Sequence, residues 1–430
     1  MGQTVRLAYG REGRSFELPE QADITFVRKS ETVSGDDPAG QVEQALSQPI
    51  AARSLRNEAR GAGSACIVIC DVTRPVPNGL MLRPVINELH AAGVPLDGIT
   101  VLVATGLHRP NEGSELQELL GDPWVSEHVC VVNHDALDDS EHVDLGFTPG
   151  LRTPVLLNRR LVQADVRIVI GLVEPHFMAG YSGGRKVIAP GVAHHTTIRT
   201  FHSARFMEHS QARTCNLVGN PLHEEQLAIV ALLGRVLAMN VVLSETRALV
   251  DVNYGEVVAS HAASVAVAAR VSEVNLPRRF RTVVTSAAGY PLDKTYYQTV
   301  KGMVTPLDIL EPGGTLIVVA ECSEGLGSGN YREAQQQLLA LGEEGFVASL
   351  TDKGLADIDE WQTEMQVKSS RRGDVALFSE ALGADHALTG IREVVDIGAE
   401  VAASIARHGD TAVAVIPEGP YVVPFRRGED

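Results

Sequence analysis

Short, uninterrupted apolar runs recur along the chain, each followed by a polar loop and then by a stretch with helical spacing. Ala65–Cys70, Ile99–Ala104, residues 129–132 and Val166–Leu172 are such runs, with helices predicted over 80–91 and near 114–120. Apolar strands that do not alternate with polar positions, interleaved with helices, predict a parallel sheet covered on both faces. Ahead of them, residues 4–8 and 15–18 flank the turn Gly10-Arg11-Glu12-Gly13 and read as a hairpin. Residues 36–47 read as a helix with Pro38 in its first turn. Residues 212–239 read as mostly helical, interrupted at Gly219-Asn220-Pro221, and 257–271 as an Ala-rich helix. The polar, proline-marked segment Asn275-Leu276-Pro277-Arg278-Arg279 then reads as a boundary. Beyond it the alternation restarts, with strands at 281–286 and 315–320, a helix near 295–310, and further elements at 334–342, 374–378 and 411–416. The pattern predicts two α/β domains with largely parallel sheets, residues 1–274 and 275–430.

Composition narrows the function. Lys and Arg number 37 against 54 Asp and Glu, a net charge of −17, which excludes a general nucleic-acid or anionic-membrane binder relying on a basic face. The five cysteines are odd in number and form no Cys-x-x-Cys pair, so neither a disulfide framework nor a thiolate zinc site is supported. The first residues lack the apolar core of a signal peptide, and no run of 18 apolar residues offers a membrane span. A soluble cytoplasmic protein is the expectation.

In open α/β sheets ligands bind beyond the carboxyl ends of the strands, so the loops after the apolar runs carry the chemistry. After Ala65–Cys70 comes Asp71-Val72-Thr73-Arg74-Pro75. Asp71 can orient a histidine or hydroxyl, and Arg74 can clamp a carboxylate with two parallel hydrogen bonds. After Ile99–Ala104 comes Thr105-Gly106-Leu107-His108-Arg109, in which His108 is a candidate acid/base. After Val166–Leu172 come Glu174-Pro175-His176 and Gly183-Gly184-Arg185-Lys186, closed by Pro190-Gly191. An Arg between Gly184 and Lys186, and Val187 after the Lys, exclude a Walker loop. Gly-rich backbone beside a Lys still suits a phosphate or a covalently attached group. His202 follows sixteen residues later; His223-Glu224-Glu225 lacks the second His of a zincin motif. In the second half, Asp293 or Thr295 can cap a helix in which Tyr297, Gln298 and Lys301 are neighbours, and Gln plus Lys suits a small carboxylate. Trp361 lies in a polar stretch. Arg74, Arg109, Arg185, Lys186 and Lys301 all fall in these loops, which predicts a locally positive cleft within an acidic protein.

This set, continued by Asp293-Lys294 and Tyr297-Gln298-Thr299-Val300-Lys301-Gly302, closely resembles the nickel-dependent lactate racemase family, which includes racemases and epimerases of other 2-hydroxy acids. The resemblance runs from about residue 65 to the closing Pro417-Glu418-Gly419-Pro420-Tyr421. It implies an interdomain active-site cleft and a nickel-pincer nucleotide, a pyridinium mononucleotide holding nickel through two sulfurs and a ring carbon. Lys186 corresponds to the lysine that tethers this cofactor, with Thr73, Gly184 and Arg185 around it, and His202 to the protein ligand of nickel. His108 and His176 correspond to the acid/base pair, with Asp71 orienting one of them. Arg74, Tyr297, Gln298 and Lys301 correspond to the substrate-holding residues, and Trp361 to an aromatic wall. The implied reaction is reversible hydride transfer from Cα, with one histidine serving each enantiomer. Cofactor-biosynthesis proteins are the implied maturation partners.

Two other readings use the same residues. His108, His176 and His202 can be drawn as a three-histidine zinc hydrolase site. A non-catalytic cofactor- or metal-binding homologue has the same fold, because fold alone does not define function.

Overall fold

Six strands form the first sheet, in the order Leu249–Glu256, Leu237–Leu243, Val166–Leu172, Ala65–Cys70, Ile99–Ala104 and Cys130–Asn133. In this computed structural model, which describes residues 2–30, 36–244, 246–351 and 353–426, the chain divides into two units. The first unit holds that sheet and comprises Glu31–His202 and Glu208–Val271. All its pairings are parallel except the edge strand Leu249–Glu256, which runs antiparallel to its neighbour. Ile67, Val68, Ile69, Val101, Leu102, Val103, Ile168, Val169 and Ile170 are all fully buried, so both faces of the central strands are covered, as their unbroken apolar runs require. The Asn78–Ala91 helix turns Met81, Leu82, Val85, Ile86 and Leu89 inward.

The strand order positions the site. From Ala65–Cys70 the chain steps outward to Ile99–Ala104 and Cys130–Asn133, then returns to lay Val166–Leu172 on the other side. The order therefore reverses between Ala65–Cys70 and Val166–Leu172, and such a switch point opens a crevice beyond the strand ends. The Asp71–Arg74 and Glu174–Lys186 loops leave from those two strands.

The second unit comprises Met1–Ser30, Ser203–Met207 and Ser272–Asp430. Its sheet has the order Arg392–Glu393, Gly373–Phe378, Leu310–Val319, Phe280–Ser286, Ala412–Ile416 and Asp23–Phe26, all parallel. Here the order reverses between Phe280–Ser286 and Ala412–Ile416.

Several expectations are revised. The contiguous division at 274/275 differs from the observed one, because Asp23–Phe26 extends the second sheet beside Ala412–Ile416. The hairpin Gln3–Leu7 with Arg14–Leu18 packs Val5, Leu7 and Leu18 into the same core as Ile397, Val401 and Val413. Residues 212–239 are not mostly helical: the helix covers Pro221–Leu233, Gly234 ends it at φ 86°, and Leu237–Leu243 is a fully buried strand. Leu and Ala suit a helix as well as a buried strand, so only the sheet partners decide this segment. The helix expected near 295–310 is observed as Tyr296–Val304 continued by a 3-10 turn over Thr305–Asp308, and Leu310 opens the strand Leu310–Val319. No helix among the described residues is long and apolar enough to cross a membrane.

Candidate active site

The carboxyl end of Ala65–Cys70 delivers Asp71 into a buried position. Its two oxygens are occupied: Thr73 Oγ1 donates to Oδ1 at 2.6 Å, and His108 Nδ1 lies 2.6 Å from Oδ2. His108 comes from the turn after the neighbouring strand Ile99–Ala104, where its N–H donates to the Thr105 carbonyl. Burial pushes the Asp71 pKa up, but the charges and hydrogen bonds of His108, Thr73 and Arg74 outweigh it and hold the carboxyl below the usual range. With its Nδ1 proton turned to Asp71, the neutral His108 ring carries its lone pair on Nε2. Arg74 Nε meets Glu174 Oε1 at 3.1 Å, which joins the two loops of the switch point.

His176 sits in a two-residue hairpin, paired with Gly180, and its ring stacks on Phe177. The backbone N–H groups of Met178 and Ala179 donate to its Nδ1 at 3.3 and 3.2 Å. Next comes the tight turn at Gly183 (φ 76°) and Gly184 (φ 46°). A Cβ at Gly183 would lie 2.5 Å from Val173 Cγ2, and one at Gly184 2.9 Å from His261 Cβ. Those glycines serve a close packing of backbone against the first unit's own side chains.

Lys186 opens onto this turn, partly buried. Lost hydration pushes its ammonium pKa down, Arg74 and Arg185 push further, and the result is about 7. Arg185 points the other way and is 1% exposed. Its Nε donates to His223 Nδ1 at 2.6 Å, one terminal nitrogen lies 2.7 Å from His261 Nε2, and the other reaches the carbonyls of Ala179 (3.0 Å) and Tyr181 (3.2 Å). The expectation that Arg185 touches a cofactor is thereby revised: this guanidinium braces the hairpin that carries His176. Sequence reasoning missed both of its histidine partners; His223 had shown only a failed zincin spacing. Thr73 likewise has a bracing role, through Asp71. Arg109 forms a two-point ion pair with Glu115 at 2.7 and 2.9 Å, so it adds little to a positive cleft.

His202 follows the helix His195–Phe201 and is buried. Its Nδ1–H donates to the Ile198 carbonyl at 2.8 Å, which places the ring's lone pair on Nε2. Burial, with a smaller contribution from Lys186, pushes its pKa down to about 4, so the ring is neutral at physiological pH. A neutral imidazole with its second nitrogen held by a carbonyl is the usual state of a metal-ligating histidine.

In the second unit, Thr295 caps the helix Tyr296–Val304, accepting from the Gln298 N–H at 3.4 Å. Asp293 instead accepts from the N–H groups of Gly10 and Glu321. On that helix Lys301 Nζ donates to Gln298 Oε1. Trp361 is buried and donates from Nε1 to the Tyr297 hydroxyl at 2.9 Å, while Gln362 donates to the Tyr297 carbonyl at 2.7 Å. The four substrate-side residues expected in this unit are thus gathered on two packed helices.

Among the described residues, the group of three or more side chains within coordinating reach of one another is Asp139, His194 and His195. Among the described residues His108, His176 and His202 form no such group. A carboxylate-backed imidazole, a second imidazole and a partly buried lysine thus lie on loops that follow the carboxyl ends of the first unit's parallel strands. Residues 9–215 match the lactate racemase N-terminal domain and residues 278–423 the lactate racemase C-terminal domain. The lactate racemase of Thermoanaerobacterium thermosaccharolyticum is 28% identical over 97% of this chain and 98% of its own length. That of Lactiplantibacillus plantarum is 34% identical over 67% of this chain and 68% of its own. The structure of the Thermoanaerobacterium thermosaccharolyticum lactate racemase apoprotein superposes with a TM-score of 0.88 at 26% identity, covering 98% of this chain and all of that one. A Thermotoga maritima protein shares the fold at a TM-score of 0.70 and 17% identity, over 91% of this chain and 99% of its own. The chain belongs to the lactate racemase family and is a racemase, an isomerase.

Proposed function

We propose that the chain interconverts the enantiomers of lactate or a closely related 2-hydroxy acid with a nickel-pincer nucleotide tethered to Lys186. The observation that carries this reading is the Asp71–His108 pair at the switch point, in the first unit that also bears His176, Lys186 and His202. The residues fit the group. With Nδ1 on the Ile198 carbonyl, His202 would ligate the metal through Nε2, and one imidazole beside cofactor sulfurs suits nickel without any cysteine of the chain. Lys186, with a pKa of about 7, is an amine able to form the tether at neutral pH.

When bound, the nickel-pincer group supplies the acceptor and donor of the Cα hydride. His108 takes the hydroxyl proton of one enantiomer at Nε2, and Asp71 holds the imidazolium that results. His176 serves the other enantiomer. It accepts a proton at Nε2 only with Nδ1 protonated, which displaces the Met178 and Ala179 amides at a cost of about 1 kcal/mol each. Arg74, Tyr297, Gln298 and Lys301 are proposed to hold the substrate carboxylate, with Trp361 as an apolar wall. Maturation requires the proteins that build the cofactor, and we place the chain in the cytoplasm, where its net charge of −17 favours solubility.

The test is to load the full chain with cofactor and incubate it with single enantiomers of lactate, malate and bulkier 2-hydroxy acids. Loss of optical purity, stoichiometric nickel and added mass on the Lys186 peptide are expected. Full-rate racemisation by cofactor-free chain would overturn the proposal.

A further inference from the structure

Four histidines of the first unit that take no part in the proposed reaction pack ring against ring. Ring centroids lie 5.2 Å apart for His134 and His142, 4.8 Å for His142 and His194, and 4.1 Å for His194 and His195. Backbone bonds fix two of them at the start of the His195–Phe201 helix: the His194 N–H donates to Leu156 O and the His195 N–H to Ala136 O. His134 is fully engaged, with Nε2 on the Ala193 carbonyl at 3.0 Å and Nδ1 accepting from Asn158 at 3.1 Å. The others are not. His142 donates from Nδ1 to the Asp138 carbonyl at 2.8 Å, so its Nε2 carries a lone pair, and that atom is buried with no hydrogen-bond partner. His195 Nδ1 is likewise buried and partnerless. A buried polar atom without a partner costs about 1–3 kcal/mol, and two in one cluster call for a water or an ion.

A carboxylate completes the set. Asp139 Oδ1 lies 2.8 Å from His194 Nε2, and the ligating atoms of Asp139, His194 and His195 all fall within 4.8 Å of one another. The geometry points to a second metal site, in which Asp139, His194 and His195 hold one divalent transition ion of the zinc class, distinct from the position of His202. Two imidazoles and one carboxylate suit such an ion, whereas magnesium and calcium demand oxygen ligands. Zinc bonds of about 2.0–2.2 Å require the three ligands to draw together. Asp139 can follow, since its side chain is 91% exposed. Coordination at His194 Nε2 replaces the proton now directed at Asp139. The ring then carries its proton on Nδ1 and gives up the long 3.3 Å contact from the Thr196 N–H. Three protein ligands leave a position for water, which brings an O–H donor of the kind that His142 Nε2 lacks.

The test is a calorimetric titration of zinc into chelator-stripped, cofactor-free full chain, with magnesium as the control. The His202→Ala variant provides the background, so that binding at the proposed nickel ligand does not count. One zinc per chain at micromolar affinity is expected, together with a rise in Tm on adding zinc. Adding His195→Gln or the exposed Asp139→Asn should weaken binding by about tenfold or more and abolish the rise, with the circular dichroism spectrum unaltered. Zinc affinity indifferent to both substitutions, or no saturable binding in the His202→Ala chain, would overturn the site. Neither outcome bears on whether the loaded enzyme racemises a hydroxy acid.

Discussion

His108 Nδ1 stands 2.6 Å from Asp71 Oδ2, a hydrogen bond that joins the ends of two adjacent parallel strands. It fixes the His108 tautomer with the lone pair on Nε2, the atom of the proposed proton transfer, and it sets a buried negative charge beside that ring. Asp71→Asn keeps the shape and removes the charge. A fall in kcat of about a hundredfold is expected, with a much smaller change in KM. The pH profile carries the sharper test. The Asp71 pKa is held below the usual range, so the charge is present at neutral pH and is lost only as pH falls through that lowered value. The gap between wild type and variant should therefore narrow toward acid. A gap constant at every pH would mean that Asp71 acts only as a structural brace.

The two histidines make a linked prediction. A racemisation has an equilibrium constant of one, so kcat/KM in the two directions must fall together in any variant. His108→Asn and His176→Asn should each lower both directions by about 10² to 10⁴, even though each ring serves one enantiomer. Their roles separate in a single turnover. With His108 removed, the loaded enzyme should still oxidise one enantiomer to the bound keto acid and fail with the other; with His176 removed, the preference should reverse. Quenched single-turnover analysis of each pure enantiomer checks this.

Much of this was legible in the sequence because buried parallel strands announce themselves. Ala65–Cys70, Ile99–Ala104 and Val166–Leu172 are unbroken apolar runs with sharp polar ends, and the candidate site lies at those ends. The rest depended on partners distant in the chain. Asp23–Phe26 is four residues long and becomes a strand only because Ala412–Ile416 lies beside it. The start of the Leu237–Leu243 strand was hidden because Leu237, Ala238 and Met239 suit a helix as well as a buried strand. Arg185 sits in a motif that suggested ligand contact, yet its direction is set by His223 and His261, 38 and 76 residues away. No local spacing encodes that choice.

Arg185 therefore yields a prediction of its own. It is a buried cation that bridges two imidazoles and two carbonyls. A lysine cannot reproduce the planar fork that reaches His223 Nδ1 and the two carbonyls at once. Arg185→Lys should destabilise the first unit by about 1–3 kcal/mol, the cost of leaving a buried acceptor unmet. Because the guanidinium holds the Ala179 and Tyr181 carbonyls, the His176 hairpin should loosen. In cofactor-loaded protein kcat should fall more than KM rises. Thermal denaturation and steady-state kinetics on the same preparation check both parts. Unaltered stability with weakened cofactor retention would instead restore a direct ligand role.

Lys186 gives the clearest pH dependence. Its pKa is pushed down from the ordinary lysine value to about 7, first by lost hydration and then by Arg74 and Arg185. A depressed lysine pKa means that the neutral, nucleophilic amine grows as pH rises through about 7, whereas other lysines remain almost wholly protonated there. At pH 7 about half of Lys186 is free amine, against roughly one part in 3,000 for an unperturbed lysine near pKa 10.5. A small acylating reagent applied briefly to cofactor-free chain should thus modify Lys186 ahead of exposed lysines. The rate at Lys186 should rise with an inflection near pH 7 and level off above pH 8, while exposed lysines keep gaining tenfold per unit. Peptide mass spectrometry over a pH series resolves the two behaviours. Arg74→Gln removes one of the two cations that depress the value, so it should move the inflection upward. If the Lys186 rate climbs to pH 10 without levelling, the amine is an ordinary one and its fitness to form the tether at neutral pH must come from another source.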